Sequence, residues 1–128
     1  MRIYSIAFYA IKFKYFTFGL TIANGLLWIG DPYGVIRGYD FDGNQVGSFN
    51  SPITDLSSMA FNGNALLISR LSQSDIFEVD FDGRVISQFS NPGFSFYGMA
   101  WDSGNLWGLE GPSYNTSIYK LKLEDNEA

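Results

Sequence analysis

Short apolar runs alternate with polar turn residues along this chain, in a pattern typical of β-strands. The stretch 98–110, GMAWDSGNLWGLE, has an apolar run, a Ser-Gly pair and a second apolar run. Earlier versions stand at 58–70, SMAFNGNALLISR, and at 19–31, GLTIANGLLWIGD. Apolar runs bounded by Gly, Asn and Asp are typical of strands joined by tight turns. The pattern therefore predicts three related strand–turn–strand units.

The three units recur at a regular spacing. Leu20, Met59 and Met99 occupy the same position in successive units, at steps of 39 and 40 residues. Other equivalent positions repeat at the same interval of 40, namely Asp42-Gly43 with Asp82-Gly83, Phe49 with Phe89, and Pro52 with Pro92. A fixed period of this length indicates a repeat architecture.

Each unit contains four predicted strands. The first two flank the turn at Asn24-Gly25, Asn62-Gly63 or Ser103-Gly104. The third strands are VIRGYDF, IFEVDF and IYKLKL, and the fourth strands are QVGSF and VISQF. Asp-Gly pairs stand between the third and fourth strands, where we expect a hairpin turn with positive φ at both residues.

Four antiparallel strands in a repeat of about forty residues resemble a β-propeller blade. The sequence MAWDSGNLWGLE followed by SIYKLKLED is similar to the repeats of a broad superfamily of six- or seven-bladed propellers. That superfamily includes NHL-type, glutaminyl-cyclase-like, lactonase-like and virginiamycin-lyase-like propellers. The resemblance covers residues 19–125. It implies an all-β fold of three blades, half of a six-bladed ring; a β-solenoid is the competing architecture, but its rungs are shorter and lack paired hairpin turns.

We expect one domain over residues 1–128, with blades at 19–57, 58–97 and 98–128 after an N-terminal segment, 1–18. The third blade lacks a fourth strand. The run SIAFYAI, Ser5–Ile11, has strand composition and no partner in its own blade. Propellers close when a strand from one terminus completes the blade at the other, which removes an exposed sheet edge. Residues 1–18 are therefore a candidate closure segment.

Three blades cannot form a ring, so an isolated chain leaves two apolar faces open. A face on the order of 400 Å² is larger than a monomer normally exposes. Covering it would stabilise the protein by roughly 10 kcal/mol. We expect a homodimer in which two chains join head to tail to form six blades. Two other interpretations stay open: the chain is a piece of a longer propeller, or the fold is irregular.

Charge and composition narrow the choice of partners and compartments. Eight basic against thirteen acidic residues give a net charge of −5, so we expect neither nucleic-acid nor membrane binding. The chain has no cysteine and no histidine, which excludes thiolate and imidazole chemistry. Lys12 and Lys14 interrupt the N-terminal apolar run, which argues against a signal peptide. We expect a soluble protein of undecided compartment.

The connections after the second and fourth strands differ most between units, and such loops carry ligand sites in propellers. They span 31–35, 70–75, 110–117, 50–57 and 90–97. Variable loops on a repeated frame are where function is usually located. The predicted ligand-binding residues are Asp31, Tyr33, Arg70, Asp75, Tyr97, Glu110 and Tyr114.

Asp31, Arg70 and Glu110 share one position, directly after the second strand of each unit. In a ring they would surround one mouth, where two acids could act as acid and base or bind a hard cation. The competing interpretation, which we favour, makes them solvated loop residues or ion pairs. Trp28, Trp101 and Trp107 lie in the repeated strand pattern, which favours packing between blades over a stacking platform.

The sequence favours a binding or assembly module whose ligand is a small molecule, peptide or glycan. An enzyme is the alternative, lactonase-like or cyclotransferase-like. A virginiamycin-lyase-like activity depends on histidine, which is absent. A lactonase-like site would need Asp31, Asp75, Glu110 and Asn115 to converge on Ca²⁺ or Mg²⁺. We assign no catalytic residue, metal ligand or cofactor.

Overall fold

A computed structural model describes residues 1–5, 10–13, 17–71, 73–90, 93, 95–111 and 116–122. These residues form eleven β-strands in three antiparallel sheets. They include no helix long and apolar enough to cross a lipid bilayer. The expected all-β class is confirmed.

Each sheet follows the chain order of its strands. The first contains β1 (Phe18–Ala23), β2 (Leu26–Gly30), β3 (Val35–Tyr39) and β4 (Gln45–Asn50). The second contains β5 (Leu56–Phe61), β6 (Leu66–Arg70), β7 (Asp75–Val79) and β8 (Val85–Ser90). The third contains β9 (Phe96–Asp102), β10 (Asn105–Glu110) and β11 (Ile118–Leu121). The predicted four-stranded unit is thus present twice, and the described part of the third unit has three strands.

The sheets pack face to face around their first strands. Strand β5 contacts β1 on one side and β9 on the other. The first strand of each sheet is therefore the innermost one, as in a propeller, and we call the three sheets blades 1, 2 and 3. The predicted blade architecture is confirmed.

Blade 2 is covered on both faces, which explains its nearly continuous apolar strands. Leu66 and Ile68 of β6 point into the cluster shared with blade 1, whereas Leu67 points into the cluster shared with blade 3. Successive side chains of a strand point to opposite faces, so a strand buried on both sides has no polar alternation. The core therefore consists of two layers, one on each side of blade 2.

The Asp-Gly turns differ from the sequence prediction. Gly43 and Gly83 have positive φ, 90° and 87°, but Asp42 and Asp82 do not. Each turn is a wider loop in which the carboxylate two residues earlier, Asp40 or Asp80, accepts hydrogen bonds from two backbone amides. Those hydrogen bonds satisfy the amides without requiring the aspartate of the turn to adopt the left-handed conformation. The third strands consequently end at Tyr39 and Val79, before the DF pairs predicted to belong to them.

Residues 10–13 lie against the face of blade 1 that points away from blade 2. The Phe13 ring contacts the Tyr39 ring edge to face, with centroids 4.9 Å apart. The predicted closure strand, Ser5–Ile11, includes residues 6–9, which lie outside the described residues. Its proposed role stays a prediction.

Candidate functional site

The connections predicted to carry a ligand site meet at one end of the blades. The amide of Ser51 donates to the carbonyl of Gly34 at 2.8 Å, and that of Asp55 donates to Pro32 at 2.7 Å. The amide of Leu71 donates to the carbonyl of Asp55 at 2.7 Å. We call the described residues of these connections, 31–34, 51–55, 71, 73–74, 95 and 111, the loop end. Its backbone hydrogen bonds join blade 1 to blade 2.

Asp31 is buried within the loop end, with 3% of its surface exposed. One carboxylate oxygen accepts hydrogen bonds from the amides of Tyr33 and Val35, at 2.9 and 3.0 Å. The other accepts from Arg37 Nη1 at 2.9 Å. Burial raises the pKa of the Asp31 carboxyl, but the hydrogen bonds from Arg37, Val35 and Tyr33 outweigh it, so the pKa lies below its usual value. The carboxylate therefore stabilises the conformation of the connection between β2 and β3.

Arg70 and Asp75 form a bidentate ion pair across the next connection. Arg70 Nη2 lies 2.9 Å from one carboxylate oxygen, and Nε lies 3.2 Å from the other. The guanidinium stacks over the Phe77 ring, 5.2 Å from its centroid, and Gln88 Nε2 donates to Asp75 at 3.2 Å. The Arg70 hydrogen bonds lower the pKa of Asp75, despite the opposing effect of burial. The charges of Arg70 and Asp75 are therefore paired within the chain.

Glu110 and the tyrosines are the more accessible part of the predicted set. Glu110 is the last residue of β10 and accepts a hydrogen bond from the Tyr119 hydroxyl at 3.0 Å. Tyr33 is almost fully exposed at the tip of its turn, and Tyr97 is partly exposed and packs beside Gly111. Tyr114 and Asn115 lie outside the described residues.

Three charged side chains of the candidate site are paired within the chain, whereas its described tyrosines are accessible. Asp31, Arg70 and Asp75 already have charged partners within the chain. Among the residues that the structure describes, no three acidic side chains stand close enough to hold a metal ion. Tyr33 and Tyr97 present aromatic surface with a polar hydroxyl, a combination suited to peptide or glycan contacts. The ligand-binding assignment itself stays a prediction.

A buried serine cluster at the inner edge of blade 2 escaped the sequence analysis. Ser57 donates to the carbonyl of Phe96 at 2.6 Å, and its hydroxyl lies 2.8 Å from that of Ser69. Ser58 shares a hydrogen bond with Ser69. Ser69 also donates to the carbonyl of Phe96 at 3.3 Å, so each of the three hydroxyls has a hydrogen-bond partner. The cluster therefore connects blade 2 to blade 3. Its signal was a serine inside the otherwise apolar run ALLIS, opposite a serine pair.

The outward faces of blades 1 and 3 carry large apolar side chains that are exposed. On blade 3, Trp107, Leu109 and Ile118 point away from blade 2 and are exposed. On blade 1, Leu20 and Ile22 are exposed on the face opposite blade 2. A groove of about 430 Å³ crosses this second face beneath the N-terminal segment. Its lining consists of Ile11, Phe13, Thr17, Gly19, Leu20, Leu27, Ile29 and Tyr39.

Solved structures that share this arrangement are propellers. Glutaminyl cyclase from Myxococcus xanthus matches with a TM-score of 0.66 and 16% identity, over 87% of this chain and 59% of that one. The β-propeller domain of Cps50 (Swd1) from Myceliophteria thermophila matches with a TM-score of 0.56 and 12% identity, over 86% and 40%. BBS1N, crystallised in complex with ARL6DN, matches with a TM-score of 0.54 and 14% identity, over 76% and 34%.

These similarities establish the β-propeller fold and nothing finer. No family model and no curated protein matches the sequence. The chain spans about three fifths of the glutaminyl cyclase and two fifths of the Swd1 domain. Propellers serve many unrelated functions, so activity has to be argued from the surfaces of this chain.

Proposed function

We propose that this chain is a binding and assembly module that joins a second copy head to tail to form a six-bladed ring. The ring would present the loop ends of both chains at its mouth. The proposal is carried by one observation: each outward face repeats a face that is buried between blades elsewhere in the same chain.

The outward face of blade 3 corresponds to the face of blade 2 that packs on blade 3. Strand register makes Trp107 the equivalent of Leu67 and Trp28, and Ile118 the equivalent of Ile76. Ile76 is 1% exposed, whereas Ile118 is 71% exposed. The side chains are of the same kind, and only their burial differs. A further blade on this side would bury them as blade 3 buries Ile76.

The outward face of blade 1 corresponds to the opposite type of face. Leu20 and Leu27 are the equivalents of Met59 and Leu66, which pack against blade 1 in the core. Met59 is 4% exposed and Leu20 is 65% exposed. The two outward faces are therefore complementary in the same sense as the two faces that meet at each internal interface.

Complementary but different faces produce a heterologous contact, which closes a ring when the rotation per unit permits. Three blades in each of two chains give the six of a common propeller size, the number implied by the sequence resemblance. Strand β11, the outermost strand of blade 3 among the described residues, would pair with the closure strand predicted at Ser5–Ile11 of the partner. In this ring Tyr33, Tyr97 and Glu110 are the proposed ligand contacts.

Sedimentation velocity over a range of concentrations tests the assembly. We expect a species of twice the 14.3 kDa chain mass at micromolar concentration and its loss in a Trp107→Ser variant. Ile86→Ser is the matched control, because Ile86 is also exposed but lies on the outermost strand of blade 2. A wild-type chain that stays monomeric at millimolar concentration would overturn the proposal, as would equal association in both variants.

A further inference from the structure

Trp28 shows how an indole is accommodated at an interface between blades. Its ring centroid lies 5.0 Å from that of Phe81 and 5.9 Å from that of Phe49. Its Nε1 donates to the carbonyl of Ala23 at 3.0 Å. On blade 2, Phe61 and Phe81 pack against the cluster that contains Trp28. The receiving surface is therefore an aromatic and aliphatic patch of the following blade.

The same patch recurs on blade 1, one repeat earlier. Phe41 corresponds to Phe81, Ile22 to Phe61, and Tyr39 to Val79. Phe41 and Ile22 are exposed because this chain has no blade in front of them. If the ring forms as proposed above, this patch is where Trp107 of a second copy would dock, since Trp107 is the equivalent of Trp28.

The N-terminal segment already lies on part of that patch. The Phe13 ring packs edge to face on Tyr39, and Ile11 lies so close to Gly43 that a Cβ there would stand 3.1 Å from its Cγ1. Both side chains line the groove with Leu20 and Leu27. We call residues 10–13 the N-terminal cap.

We infer that the N-terminal cap competes with a second copy for the outward face of blade 1. The competing surface of that copy is the outward face of its blade 3, which we call the Trp107 face. Ring closure therefore requires the cap to leave. This inference rests on the proposed function. A second copy is the fitting occupant because its Trp107 face is itself uncovered and is of the type that this patch receives inside the chain. A small apolar ligand would fill the groove but leave the Trp107 face open.

Release of the cap would affect both contacts of the proposed ring, namely the packing of blade 3 on blade 1 and the pairing of the closure strand with β11. The cap ends two residues beyond the predicted closure strand, and Ala10 and Ile11 belong to both. Release of the cap would expose the docking face and would separate Ile11 from blade 1, so that it could take part in the predicted closure strand. The cap thereby acts as an intramolecular plug that lowers the fraction of chains competent to assemble.

A Phe13→Ser variant of the full chain tests the competition, because Phe13 lies outside the closure strand. Both caps must leave to form the ring, because each chain docks its blade 3 on blade 1 of the other. If the cap covers the face in about nine of ten monomers, its release in both chains therefore lowers the dimer dissociation constant by about a hundredfold. Tyr4→Ser is the matched control, since Tyr4 is an exposed aromatic residue of the same N-terminal stretch. The dissociation constants are measured by sedimentation equilibrium, with circular dichroism to verify folding.

A second measurement follows the cap directly. The nuclear Overhauser effect between the Phe13 and Tyr39 rings should be present in monomeric Trp107→Ser protein and absent in the wild-type dimer. A dimer that keeps this effect, or equal dissociation constants for Phe13→Ser and wild type, would overturn the competition and leave the assembly intact. If no variant associates, both proposals fail.

Discussion

Trp28 and Trp107 occupy the same position in the repeat but have opposite surroundings. Trp28 is 7% exposed between blades 1 and 2, whereas Trp107 is 39% exposed on the outward face of blade 3. Opposite Trp28 in the next strand stands Gly38, and opposite Trp107 stands Lys120, whose ammonium lies 5.8 Å from the indole centroid. The comparison shows that burial here depends on the adjoining blade. We therefore expect Trp28 to stabilise the fold of the chain and Trp107 to stabilise the proposed assembly.

Removing each indole gives the largest expected difference. Trp28→Ala leaves a cavity inside the core and should lower the free energy of unfolding by about 3–5 kcal/mol. Trp107→Ala should cost less than about 1 kcal/mol in the monomer, because its surface is already partly solvated. Urea denaturation at a concentration where the chain is monomeric measures both. Similar losses in the two variants would contradict the assignment of Trp107 to an open face.

A smaller effect is expected from the glycine beneath Trp28. A Cβ at Gly38 would stand 2.8 Å from the indole, so Gly38→Ala forces the ring away from its place against blade 2. We expect a loss of about 1–3 kcal/mol, as for other overpacked cores. Gly47 lies in the adjacent strand of the same blade, and a Cβ there would meet nothing within 4 Å. Gly47→Ala is therefore the control, with a change within about 0.5 kcal/mol, and equal urea midpoints for the two variants would exclude this packing role.

The smallest effect concerns the position after the second strand, where Asp31 is buried and Glu110 contacts Tyr119. Asp31→Asn should cost about 1 kcal/mol at neutral pH, because the amide keeps one acceptor oxygen but loses the charge that faces Arg37. Glu110→Gln should cost less, since Glu110 is less buried than Asp31.

The pH dependence of the Asp31 effect has a definite sign. The folded pKa of Asp31 lies below its usual value, so the folded state favours the ionised carboxylate. That stabilisation is complete above the unfolded pKa of about 3.9 and is lost as the pH falls through the folded pKa. The difference in unfolding free energy between wild type and Asp31→Asn should therefore shrink between pH 6 and pH 3. A difference that grows on acidification would contradict the ion pair with Arg37.

The strands were predictable because each strand pattern occurs in more than one unit of the repeat. Ile36 and Ile76 occupy the same position in their third strands, and Asn24-Gly25 and Ser103-Gly104 both have the positive φ values of a two-residue hairpin turn. The Asp-Gly turns were predicted with the wrong backbone conformation. The reason is that Asp40 and Asp80 use their own carboxylates to satisfy the turn amides, an interaction that the dipeptide alone does not indicate.

The repeat predicts at which strand ends the charged side chains of the candidate site stand, but it does not predict their partners. The position of Asp31, Arg70 and Glu110 at the ends of equivalent strands follows from the repeat. The partner of Asp31 depends on the register of β2 with β3, which sets Arg37 opposite Ile29 and so beside the end of β2. Arg70 pairs with Asp75 because both lie at the ends of neighbouring strands. The register of each hairpin decides which charged side chains become neighbours, and the repeat pattern of the sequence does not predict that register.

The sequence by itself determined the strands, the period and the blade, because alternation of side chains and turn residues acts locally and is repeated in each unit. Only the tertiary structure decided which of the equivalent apolar side chains is buried. That outcome depends on whether another blade lies in front of a face, which the residues of the face do not encode. Trp28 and Trp107 differ for this reason, and the N-terminal cap lies on blade 1 because the face beneath it has no neighbouring blade in this chain.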